Sequence, residues 1–193
     1  MKKYIIFLSI IFTSCSIVKI EEQIVTDFFI EKKLRNIPHL NQSFLINEAS
    51  SYKNPLEYYE KAFENKSLDI GDQKFSTVPQ KNNYWPINLD EIKVLKHKIK
   101  KDSLGYYWKT KNFKSLEVPI ITKKELLDKA KNGQIPIGSI GHIISKPILS
   151  INKKYAFLTY SGVFCTGGIP EEMVLMELKN KNWKIITRFY MNL

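Results

Sequence analysis

Apolar residues recur at every third or fourth position in four stretches of the chain, with polar residues between them. This spacing places the apolar side chains on one face of a helix, which must pack against another part of the protein. Pro38 is expected to end the first of these helices. Four amphipathic helices are predicted, at residues 21–35, 55–65, 89–100 and 123–132.

Capping residues mark the ends of the last two helices. Thr122 and Glu125 have the spacing of a capping box before the fourth helix, and Gly133 follows it as a stop signal. Asn88 and Glu91 have the same spacing at the start of the third helix. Local side-chain chemistry therefore indicates where both helices begin.

The last fifty residues show a different pattern, in which apolar runs are short or alternate with polar positions. Pro147 lies within the first run, which indicates an edge strand or a bulge, and residues 180–182 form a hairpin turn. Strands are predicted at residues 143–149, 154–164, 173–179 and 183–189, after a short one at 106–109. We therefore predict an α+β fold, with amino-terminal and central helices packed on a carboxy-terminal antiparallel β-meander of about four strands.

The first fifteen residues have the layout of a secretory signal. Lys2 and Lys3 precede an apolar run at residues 4–13, which is too short to span a bilayer, and Cys15 follows after one small residue. The segment resembles a bacterial lipoprotein signal, in which the cysteine receives lipid and becomes the first mature residue, although Phe12 replaces the usual Leu. This resemblance implies a signal peptide at 1–14, a lipidated tether at 15–20 and a single α+β domain at 21–193.

The residues after Cys15 bear on location. Ser16 stands where an aspartate would indicate inner-membrane retention, and no acidic cluster follows directly to resemble a surface-export signal. We therefore expect that Cys15 carries a lipid that includes palmitate, and that this lipid anchors the protein at the periplasmic face of the outer membrane. Free secretion and an inner-membrane anchor are the alternatives.

The chain is strongly basic, with 30 Lys and Arg against 19 Asp and Glu and a net charge of +11. Only Arg35 and Arg188 are arginines, so 28 of the 30 are lysines. Proteins that recognise nucleic-acid phosphates favour the planar, bidentate guanidinium of Arg, and a secreted protein rarely meets nucleic acid. The charge therefore argues against a nucleic-acid partner and favours weak, salt-screened attraction to anionic lipid headgroups.

Candidate catalytic chemistry is sparse. With Cys15 assigned to lipid, Cys165 is the one remaining cysteine, and it is either a nucleophile paired with His142 or a small residue before a Gly-Gly turn. None of His39, His97 and His142 stands in a known cysteine-enzyme motif, and the sequence offers no credible zinc spacing or phosphate loop. No cofactor or metal is predicted.

Two aromatic clusters are the candidate binding residues: Tyr84 and Trp85, then Tyr106, Tyr107 and Trp108. Their rings offer broad apolar faces to a glycan or a peptide. The alternative is packing in the core, since aromatic side chains dominate core burial. A binding role requires that the rings line an open groove.

Two segments resemble the corresponding parts of small uncharacterised lipoproteins of Bacteroidota. They are an early helix that contains EEQIVTDFF, and an ending that runs from ISKPILSINKKYAFLTYS through a Gly-rich turn to LMELKNKNWKI. The likeness covers residues 21–36 and 143–189. It implies the location and the fold, and it implies no activity.

Three functions follow from these observations. The first, which we favour, is a non-enzymatic binding or accessory protein of the cell envelope, anchored through Cys15. The second is an envelope-acting enzyme that uses Cys165 and His142. The third is an inhibitor or immunity-type lipoprotein that binds a single protein partner.

Overall fold

A computed structural model describes most of the chain. The described residues are 18–34, 42–50, 55–64, 85–99, 106–109, 113, 116–164 and 167–190. The predicted signal peptide, Cys15, Tyr84 and Cys165 lie outside them. None of the helices in the described part is long and apolar enough to cross a membrane.

All four predicted helices are present. They are α1 at residues 18–31, α2 at Pro55–Glu64, α3 at Leu89–Ile99 and α4 at Lys123–Lys131. The prediction that α1 continues to Arg35 and ends at Pro38 was wrong. Lys33 N–H donates to Ile30 O and Leu34 N–H donates to Phe29 O, and this pair of bonds is the Schellman motif that closes a helix.

The predicted capping box is complete at the start of α4, but only one of its two hydrogen bonds forms at the start of α3. At α4, Thr122 and Glu125 form the complete reciprocal capping box. At α3, Glu91 N–H donates to Asn88 Oδ1 at 2.8 Å, but the Glu91 carboxylate instead accepts from Ile151 N–H at 2.7 Å. A long-range partner has therefore replaced the local one at Glu91.

Within the described residues, seven strands form one sheet. Its order is β2–β1–β3–β5–β6–β7, and β4 pairs with β5 outside this path. The strands are β1 Ser43–Ile46, β2 Ile120–Ile121, β3 Ile140–Ile144, β4 Ile148–Leu149, β5 Tyr155–Phe164, β6 Gly167–Lys179 and β7 Asn182–Tyr190. The antiparallel meander is confirmed from β3 to β7. The sheet is larger than the predicted four strands, because β1 pairs in parallel with β2 and with β3.

The predicted first strand of the meander is divided at Pro147. β3 and β4 pair with the same edge of β5, and residues 145–147 bulge out between them. A proline donates no ladder hydrogen bond, so it is accommodated at such a break. The short strand predicted at 106–109 was wrong, since that segment makes only an isolated bridge between Tyr107 and Glu48.

The sheet is covered on both faces. On one face α1 packs through Ile24, Val25 and Phe28 against β5 and β6. On the other face, α2 and α3 cover β5 and β6, and α4 packs through Leu126 against β1. The sequence thus folds into three layers, with α1 alone among the described helices on its face.

Candidate functional site

Five polar side chains lie together beneath the end of α1, and we refer to them as the buried polar cluster. They are Lys32, His142, Tyr160, Glu172 and Arg188. Their positions follow from the pairing of the strands. Tyr160 on β5 stands between Glu172 on β6 and Ile144 on β3. His142 lies two residues before Ile144 on the same strand. Side chains two apart on a strand share a face, so the sheet presents all four strand residues to α1.

His142 and Tyr160 form the polar contact at one end of the cluster. The His142 Nδ1 and Tyr160 Oη atoms are 3.0 Å apart, and the two rings stack at 5.8 Å. The Phe29 ring packs nearly perpendicular to the imidazole, with ring centroids 5.3 Å apart. Nε2 of His142 is buried and has no hydrogen-bond partner among the described residues.

The environment of His142 holds its ring neutral. Burial lowers the pKa of His142 to about 4, and the charge of Lys32 acts in the same direction. Burial also raises the pKa of Tyr160, with a further contribution from the charge of Glu172. Both groups are therefore uncharged near neutral pH, and they share one hydrogen bond.

Lys32 and Glu172 form the charged half of the cluster. The Lys32 ammonium donates to Glu172 Oε1 and also lies 4.2 Å from the centroid of the Tyr160 ring. Burial lowers the pKa of Lys32, whereas the Glu172 carboxylate opposes this shift. Arg188 Nε is buried without a partner among the described residues. The ion pair fastens the carboxyl end of α1 to strand β6.

Three members of the cluster, His142, Tyr160 and Glu172, are shielded from solvent, whereas Lys32 and Arg188 are half-buried. His142 is 1% exposed, and Glu172 is 2% exposed. A reactant could reach them only if α1 moved away from the sheet. In this conformation the cluster is a buried polar contact between α1 and the sheet.

A small groove lies next to the cluster on the outer side of α1. Its volume is about 100 Å³, and its lining residues are Thr26, Phe29, Ile30, Leu34, Leu116, Glu117 and Val118. The Phe29 ring lines the groove and also contacts His142, so it separates the groove from the histidine. Pockets for small molecules enclose roughly 300–1,000 Å³, so this groove suits at most a single side chain of a partner.

The aromatic residues at 106–108 are divided between core and surface. Trp108 is 2% exposed, donates from Nε1 to Ile144 O at 3.0 Å and meets the Tyr106 ring edge-on. Burial, with the charges of Glu21 and Glu22, raises the pKa of Tyr106 to about 12. Only Tyr107 is exposed. These rings do not form a common face.

Trp85 lies far from that cluster, on the opposite side of the sheet. Its ring packs edge-on against Tyr59 and Phe63 of α2, in the core between α2, α3 and the sheet. Its half-buried ring does not share a groove with Trp108, which lies in the core beneath α1. A binding role for the exposed Tyr107 ring remains a prediction.

Of the buried polar cluster, only His142 was a candidate from the sequence. Glu172 stands beside Glu171 in the sequence, where adjacent carboxylates are expected to be solvated, yet it is buried. The signal was strand parity, since Glu172 shares a face with Val174 and Met176. Lys32 gave no such signal, because its partner is 140 residues away.

Within the described residues, no group of three or more His, Cys, Asp or Glu side chains could hold a metal ion. The whole chain matches no protein-family model, no curated protein and no solved structure.

Proposed function

We propose that this protein is a lipid-anchored protein of the bacterial envelope, held through Cys15 at the periplasmic face of the outer membrane, and that its domain acts by binding. The observation that carries the anchor is the signal-like layout of residues 1–15, which ends at Cys15. The position of α1 then determines how close the domain lies to that residue. The described helix already includes residue 18, only three positions after Cys15. The predicted tether, residues 15–20, therefore overlaps the helix by three residues.

This short connection fixes the domain close to any lipid on Cys15. Three extended residues span at most about 11 Å. A lipid on Cys15 would therefore place the amino-terminal end of α1 next to the membrane surface. Such an arrangement is suited to an accessory protein that works at the membrane, rather than to one that reaches far across the periplasm.

The buried polar cluster supports binding over catalysis. General acid or base catalysis requires that the group reach the reacting proton, directly or through one water. His142 instead contacts Tyr160 and Phe29 beneath α1. Burial also lowers its pKa to about 4, which makes the imidazole a weak base for activating a thiol.

Metabolic labelling with a clickable palmitate analogue tests the anchor. The full chain is expressed in a Gram-negative host as wild type, Cys15→Ala and Cys165→Ala. The last variant is the matched control, because it removes the only other cysteine. We expect label in the wild type and in Cys165→Ala, none in Cys15→Ala, and labelled protein in the outer-membrane fraction.

Two outcomes would contradict the proposal. Label retained in Cys15→Ala would place the lipid elsewhere, and an unlabelled wild type would remove the anchor altogether. Crosslinking in intact envelopes then addresses the binding role. A single tight protein partner would favour the inhibitor or immunity-type function over a general accessory role.

A further inference from the structure

Three segments meet at one end of the sheet. The start of α1 lies beside the β6–β7 turn, because Gln23 Nε2 donates to Lys181 O at 2.6 Å. The β4–β5 turn lies beside the end of β6, because Leu178 N–H donates to Lys154 O at 2.9 Å. The end of the domain nearest to Cys15 is therefore built from the start of α1 and these two turns.

Five exposed lysines lie in these segments, and we call this surface the basic end. They are Lys19, Lys153, Lys154, Lys179 and Lys181. Lys19 precedes Gln23 by one helical turn and so lies on the same side of α1.

The carboxylates at this end do not offset the lysines. Glu177 pairs with both Lys154 and Lys179, at 3.3 and 2.7 Å. Glu22 is near Lys19, and Glu91 accepts from the backbone of the β4–β5 turn. Neither Lys153 nor Lys181 forms an ion pair within the described residues. The surface thus keeps free positive charge.

Two of these lysines occupy backbone positions that disfavour them. Lys153 has φ +56° and Lys181 has φ +67°. Left-handed backbone costs a side-chain-bearing residue stability, and glycine or asparagine adopts it more readily. Both side chains are exposed, so each of these turns presents an ammonium group to solvent.

Apolar side chains stand beside the charges. Ile151 at the tip of the β4–β5 turn is 63% exposed, and Leu178 is also exposed. Side-chain hydrogen bonds hold the turn, with Ser150 Oγ donating to Asn152 Oδ1 and accepting from Tyr155 N–H. A fixed turn that presents lysine with an isoleucine suits an interface with charged headgroups above acyl chains.

From these observations we infer that the basic end binds the phosphate headgroups of an anionic phospholipid bilayer. The orientation rests on the proposed function, since the lipid on Cys15 brings this end to the membrane. The charge complementarity does not depend on that lipid. Juxtamembrane lysines strengthen attachment through the negative potential of the bilayer.

Vesicle sedimentation tests the inference on the chain from residue 16 to 193, which contains every described residue and lacks the lipid. Vesicles of phosphatidylcholine with 30% phosphatidylglycerol are compared with pure phosphatidylcholine. The test variant is Lys153→Asn/Lys181→Asn, because asparagine tolerates the left-handed region. The control is Lys124→Gln/Lys131→Gln, which removes the same charge from exposed positions on α4.

We expect binding to the anionic vesicles alone, with a steep loss as salt is raised from 50 to 500 mM. The test variant should bind about twenty-five-fold more weakly at low salt, because each lysine contributes a factor of about five. The control should lose less than about threefold. A thermal unfolding curve checks the fold, and Lys153→Gly/Lys181→Gly repeats the charge removal with less backbone strain.

Three results would overturn the inference: equal losses in test and control variants, equal binding to neutral vesicles, or displacement by single-stranded DNA at the same phosphate concentration. The last would identify a general polyanion site. Palmitate labelling reports separately on Cys15. Vesicle binding without palmitate labelling would support the inference about the basic end and reject the lipid anchor. Labelling without vesicle binding would reject only the inference about the basic end.

Discussion

His142 on β3 and Tyr160 on β5 share a buried hydrogen bond, with Nδ1 and Oη 3.0 Å apart beneath α1. The residues are 18 positions apart and on adjacent strands. The bond joins two groups whose charged forms are both disfavoured by burial. The contact between α1 and the sheet therefore depends on a neutral His142.

We expect acid to destabilise the protein through His142. Its pKa is about 4 in the folded chain and about 6.5 when unfolded, so the unfolded chain binds more protons between these values. The stabilisation is complete above about pH 6.5 and falls by up to about 3 kcal/mol as the pH drops to about 4. Urea unfolding at pH 7.5 and 4.5 measures it.

The variant His142→Asn separates this effect from other titrations. Asparagine keeps a polar group near the position of Nδ1 but does not titrate. The difference in stability between the wild type and this variant should shrink at acidic pH. A difference that stays constant with pH would show that His142 does not contribute the expected dependence.

We expect Tyr160→Phe to lower the free energy of unfolding by about 1–2 kcal/mol, because it leaves the buried His142 Nδ1 without its partner. The aromatic ring remains for Phe28 and for the Lys32 ammonium. Tyr107→Phe is the matched control, since Tyr107 is 58% exposed, and it should change stability by less than about 0.5 kcal/mol. Equal effects at both sites would contradict a special role for the hydroxyl of Tyr160.

Local signals account for the parts of the fold that could be predicted. Thr122, Glu125 and Gly133 act within a few residues of one another, and they define α4 almost to the residue. The strands β5 and β7 and the second half of β6 are also predictable, because they are long and joined by short turns. β6 begins at Gly167, six residues before the predicted start. Here the interactions that decide the structure lie close in the sequence.

Non-local pairing accounts for what was missed. β1 has four buried residues and no alternation, and β2 has only two residues, so neither carries a periodic signal. Their parallel pairing joins Leu45 to Ile120 across more than a third of the chain. The buried polar cluster has the same origin, since strand register and the docking of α1 bring its members together.

We expect Glu172→Gln to destabilise the protein by about 3 kcal/mol, because it leaves the Lys32 ammonium buried without its counter-charge. Adding Lys32→Met should recover part of this loss, so the double variant is more stable than the sum of the single changes predicts. Urea unfolding of the four proteins in this cycle gives the coupling energy.

The pair Glu31–Lys184 supplies the control for this cycle. It also joins α1 to the sheet, at 2.6 Å, but both side chains are more exposed. Glu31→Gln should therefore cost less than about 1 kcal/mol. If both substitutions cost the same, burial does not set the strength of the Lys32–Glu172 pair.

We expect Lys33→Gly to stabilise the protein by about 0.5–1 kcal/mol. α1 and α4 end in the same pair of backbone hydrogen bonds, with Lys33 and Gly133 at the left-handed position, φ +55° and +65°. Lysine is strained there, and glycine removes the strain at some cost in unfolded-state entropy.

Gly133→Ala is the reciprocal test, since an added Cβ would meet no atom within 4 Å and only the backbone conformation opposes it. The midpoint of thermal unfolding should therefore rise in Lys33→Gly and fall in Gly133→Ala. A lower midpoint in Lys33→Gly would mean that the lysine side chain stabilises the protein by more than its backbone strain destabilises it.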